Sequence, residues 1–135
     1  MTAGISNEGC IRELLWNAVE PLTRAVDTYG ESVRDLESKR NEVIPRTKNP
    51  AFQSEVNKTH ALYMQHIEMA IINLKAQIAI GKEIKELFAR RDIGFGKLSA
   101  SLGEIQSRFT PLQAQLNINK DEIKKLEDKI IDLIS

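Results

Sequence analysis

A chain of 135 residues with 19 basic and 19 acidic side chains has no net charge at neutral pH, so no global field draws it onto nucleic acid or an anionic membrane. Its 41% hydrophobic and 28% charged residues lie in the globular range, enough to bury one core without metal or disulfide staples, while 5% aromatic residues and 7 glycines leave little material for strands and tight turns. The balance favours an all-α fold in a single domain spanning residues 1–135.

The N-terminal run MTAGISNEGCIRELLW has neither a basic start nor a continuous apolar stretch and predicts no secretory signal. Cys10 is the only cysteine, so it reads as a free thiol in a reducing compartment, and a cytoplasmic location is expected.

The first periodic segment covers about residues 7–43. Ile11, Leu15, Ala18, Leu22, Ala25, Tyr29, Leu36 and Val43 recur at steps of three and four, and Val19, Val26 and Val33 widen the stripe to suit a helix with two neighbours. Pro21 lacks the N–H that bonds back one turn and Gly30 weakens the helix again, so one helix is expected with a bend or break at Pro21. The boundary that follows is IPRTKNP, residues 44–50, in which Asn49-Pro50 supplies an N-cap and a proline at the first helical position.

The second helix is expected over residues 50–91. Its middle, MAIINLKAQIAI from Met69 to Ile80, is apolar on most faces, yet it is shorter than the roughly 20 residues that span a bilayer and contains Lys75. Such a helix belongs at the centre, covered by the other two. Asp92 to Gly96 forms the second break, where Gly94 and Gly96 are expected to supply positive φ values.

The third helix is expected over residues 97–134 and has the most regular pattern. Leu98, Leu102, Ile105, Phe109, Leu112, Leu116, Asn119, Ile123, Leu126, Ile130 and Leu133 hold heptad register with only Asn119 polar. Pro111 predicts a kink or a restart capped by Thr110. Segments near forty residues give rods of roughly 55–60 Å. Short loops between them predict an elongated antiparallel three-helix bundle of coiled-coil character. Glu20 with Arg24, Asp35 with Lys39, Glu86 with Arg90 and Asp121 with Lys125 stand four apart on the expected outer faces.

No pattern for catalysis, metal or cofactor binding emerges. His60 and His66 are rotated about 240° from each other on a helix and belong on its surface or at an interface. Gly94-Phe95-Gly96 follows a helix and lacks the third glycine and the lysine of a phosphate loop. No Glu-x-x-His of a di-iron bundle occurs. A non-enzymatic interaction module is therefore expected: a scaffold, adaptor or chaperone-like subunit that forms a homo-oligomer or joins a helical hetero-partner.

Three features carry functional content. The C-terminal seam of Leu112, Leu116, Asn119, Ile123, Leu126, Ile130 and Leu133 is the leading candidate interface, with Asn119 placed to fix register. Trp16, the lone tryptophan, sits beside the seam of the first helix as an interface anchor or as packing across a helix gap. Lys82, Lys85, Arg90, Arg91 and Lys97 form a basic hairpin tip, which supports an alternative as a peripheral membrane protein meeting anionic lipid. The same tip lacks interleaved aromatic residues for base stacking, which argues against nucleic acid.

Overall fold

A computed structural model describes the backbone from Ala3 to Ser135 and the surroundings of side chains from Gly9 onward. The described chain is all-α: α1 Ala3–Asp27, α2 Tyr29–Arg40, a single 3-10 turn Pro50–Phe52, α3 Gln53–Ala89 and α4 Phe95–Ile134. α3 touches every other helix, as its apolar middle predicts.

Residues that meet run in opposite order along neighbouring helices. Glu55, Asn73 and Glu83 of α3 bond Lys129, the Leu112 carbonyl and Arg108 of α4. Arg12 of α1 reaches the Phe88 carbonyl, and Arg40 of α2 reaches Glu68. The core forms two clusters. One gathers Val33, Tyr63, Ile67, Ala70, Ile71 and Leu74 with Leu116, Ile123 and Ile130. The other joins Val26, Ile80 and Ile84 to Ile105 and Phe109.

The first helix departs from expectation. It does not break at Pro21, which lies inside α1. Proline deprives only the carbonyl one turn earlier, that of Asn17, and Asn17 is exposed, so water can bond it at small cost. The interruption falls at Thr28. Its hydroxyl bonds the Ala25 carbonyl at 2.7 Å, and tightened bonds run from the Thr28 N–H to Ala25 and from the Glu31 N–H to Thr28. α2 then ends at Arg40 rather than Val43, which is 87% exposed in the loop.

Asn49 accepts from the Ala51 N–H at 3.0 Å as an N-cap, but of the 3-10 turn that precedes α3. Gln53 ties this loop down by bonding the Thr47 N–H and the Pro45 carbonyl, and the Thr47 hydroxyl donates to the Leu133 carbonyl at the end of α4.

The second reversal uses no positive φ at any described glycine. Gly94 is extended (φ −75°, ψ 163°) and its carbonyl takes the Leu98 N–H, so α4 begins two residues earlier than expected. At Pro111 α4 runs through without a restart. Thr110 is not a cap there, since its hydroxyl bonds back to the Gln106 carbonyl at 3.1 Å.

Of the four expected pairs at i, i+4, Glu20 with Arg24 forms, at 2.6 Å. Lys39 instead reaches Glu127, Arg90 bonds Asp92 and Lys125 sits by Glu122. His60 is buried against Tyr63 rather than on the surface, and His66 is half-buried.

One close approach escapes the hydrophobic pattern. A Cβ at Gly81 of α3 would overlap the Val26 side chain of α1, so only glycine lets the two helices approach this closely.

Candidate interaction surface

The C-terminal seam is occupied within its own chain. Leu116, Ile123 and Ile130 are buried in a cluster with residues of α3 and with Val33 of α2, Asn119 is buried as well, and Leu112, Leu126 and Leu133 are half-buried. Asn119, only 1% exposed, accepts from Gln115 Nε2 at 3.3 Å, while its own Nδ2 finds no protein partner. A polar group is thus held in the core at a cost.

Trp16 meets Phe88 edge-on, with centroids 5.1 Å apart. Arg12, one turn earlier, lies over the same Phe88 ring and donates to the carbonyls of Phe88, Arg90 and Ile93 at 2.9, 2.6 and 3.3 Å. The pair closes the C-terminal end of α3, whose last carbonyls lack helical partners. No sequence signal marks Arg12 for this task, because the carbonyls it caps lie more than seventy positions away. Of the seam, only Leu112 reaches the cluster that contains Trp16.

The basic tip is partly neutralised. Lys85 bonds Asp27 of α1 at 2.7 Å, and Arg90 bonds Asp92 at 3.0 Å, which lowers the Asp92 carboxyl below its ordinary range. Lys82, Arg91 and Lys97 are exposed. Among the described residues no three His, Cys, Asp or Glu side chains converge as metal ligands, and no helix is long and apolar enough to cross a membrane.

The surface that neighbours leave uncovered lies on α3. Leu62, Gln65, Met69, Ile72, Ala76 and Ala79 recur at alternating steps of three and four on the side turned away from the core. Leu62 is 50% exposed, Met69 43% and Ile72 61%. This is a second heptad seam, back to back with the buried one, and among the described residues it stays exposed except at the half-buried Ala76.

Scans against protein-family models, curated proteins and solved structures found no match. The geometry alone therefore carries the assignment of this surface. The apolar run Met69–Ile80 predicted a helix covered all round, and the outer half of that run is the part left open. Periodicity marks a face as apolar but does not say whether a neighbour covers it. A groove of about 450 Å³ between α1 and α4, lined by Leu15, Val19, Leu22, Leu102 and Phe109, is a second partly open apolar surface.

Proposed function

We propose that this chain is a non-enzymatic protein–protein interaction module, a helical scaffold or adaptor whose binding surface is the outer face of α3. The observation that carries this reading is the exposed seam from Leu62 to Ala79, with Ile72 at its middle 61% exposed. Apolar side chains in coiled-coil spacing gain free energy when a second helix covers them, at about 25 cal/mol for each Å² removed from water. The exposed thiol of Cys10 fits a reducing, cytoplasmic setting. The reading as a peripheral membrane protein draws less support, because Asp27 and Asp92 already hold two of the five tip cations.

The test is comparative affinity capture from the native source, using the wild-type chain and Ile72→Glu side by side. Proteins retained by the wild type and lost with the variant are the expected result. Identical sets from both would reject the α3 surface as the binding site.

A further inference from the structure

We propose that the outer seam of α3 pairs with the same seam of a second copy of this chain, the two α3 helices running antiparallel about a two-fold axis between Met69 and Ile72. The inference rests on the reading of this face as an interaction surface, and names its occupant.

The first argument is self-complementarity. In antiparallel coiled coils each a position faces a d position of the partner helix. Placing the axis between Met69 and Ile72 sets Met69 against Ile72, Gln65 against Ala76 and Leu62 against Ala79 of the second copy. Larger side chains thus meet smaller ones at both outer layers. One further step outward brings the exposed Lys58 opposite Glu83, a carboxylate that already bonds Arg108 of its own chain, so the apolar seam ends in opposite charges with Glu83 shared between the two cations. Along the flank, Glu68 and Lys75 are both exposed and lie almost symmetrically about the same axis. Each Glu68 therefore comes opposite a Lys75, twice in the dimer.

The second argument is area. The chain exposes 8899 Å², whereas a compact monomer of 15.3 kDa exposes roughly 7,100 Å². The excess of roughly 1,800 Å² per chain is more than the roughly 800 Å² that each partner contributes to a standard specific interface, so one such contact fits within it and leaves the rest to the elongated shape of the bundle. A two-fold pairing along α3 uses the same patch on both copies, so it closes at two and does not propagate into filaments.

The test is sedimentation equilibrium of the full chain and three variants, with circular dichroism to confirm that each remains helical. Wild type should be a concentration-dependent dimer. Ile72→Glu, at an exposed position, should remain folded and weaken the dimer by about 100-fold or more, since two charges are buried near the axis. Lys75→Glu should weaken it roughly threefold to tenfold, because the change acts twice. Glu68→Lys combined with Lys75→Glu should recover wild-type association to within about twofold, although the bond from Arg40 to Glu68 remains broken. A wild-type monomer at every concentration overturns the pairing, as does a dimer indifferent to Ile72→Glu or a charge swap that fails to restore association. A monomer that still captures a protein lost with Ile72→Glu would remove the second copy as occupant and leave the α3 surface standing. A monomer with no such capture would remove both.

Discussion

Tyr63 is the residue whose titration most directly reports the packing of α3 against α2 and α4. Burial, reinforced by the nearby carboxylates of Glu127 and Glu42, pushes its phenol up to about 12. Below pH 10 the ring is protonated in both folded and unfolded chains, and its contribution to stability is complete. Between about pH 10 and 12 the unfolded chain releases the proton and the folded one does not. Stability then falls by up to about 1.4 kcal/mol per pH unit. Urea unfolding followed across this range should show a shallower loss for Tyr63→Phe than for wild type. Equal slopes would mean that the phenol is not buried as described. Asn119 teaches a related lesson. Its place as the one polar residue of a regular seam is evident from the spacing, but the unpartnered Nδ2 is visible only in three dimensions.

At the scale of helices, the contact of Gly81 with Val26 separates local propensity from packing. On propensity alone Gly81→Ala would stabilise α3 by about 1 kcal/mol. The added Cβ meets the Val26 side chain, so the substitution should instead destabilise the protein by about 1–3 kcal/mol. Adding Val26→Ala should recover part of the helix gain lost to this clash. Thermal unfolding of the two variants checks both statements, and a more stable Gly81→Ala would show that the helices are not in such close approach. The long helices were legible because a period near 3.6 repeats over many turns, and the boundary at Asn49-Pro50 because capping acts over two or three residues. The break at Thr28 was not, since Pro21 is the stronger local signal and exposure of Asn17 removes most of its penalty. The reversal at Gly94 was misread for a similar reason: glycine permits positive φ without requiring it.

For the whole molecule, the two apolar faces of α3 and the seam of α4 all show coiled-coil spacing, and only the assembled bundle tells them apart. The α4 seam, the most regular in sequence, is spent on the chain's own core, and the outer face of α3 is the one left exposed. Its mixture of Gln65, Ala76 and Ala79 with larger apolar residues weakens its periodic signal, yet this same mixture makes it complementary to its own reverse. The most direct measurement is disulfide trapping with Cys10→Ser as background. Leu62→Cys mixed with Ala79→Cys should give a rapid mixed dimer, because the two-fold pairing brings these positions face to face. Leu62→Cys alone should not cross-link, its two copies lying about 25 Å apart at 1.5 Å per residue. Rapid cross-linking of Leu62→Cys with itself, or none in the mixture, would contradict the antiparallel pairing of α3.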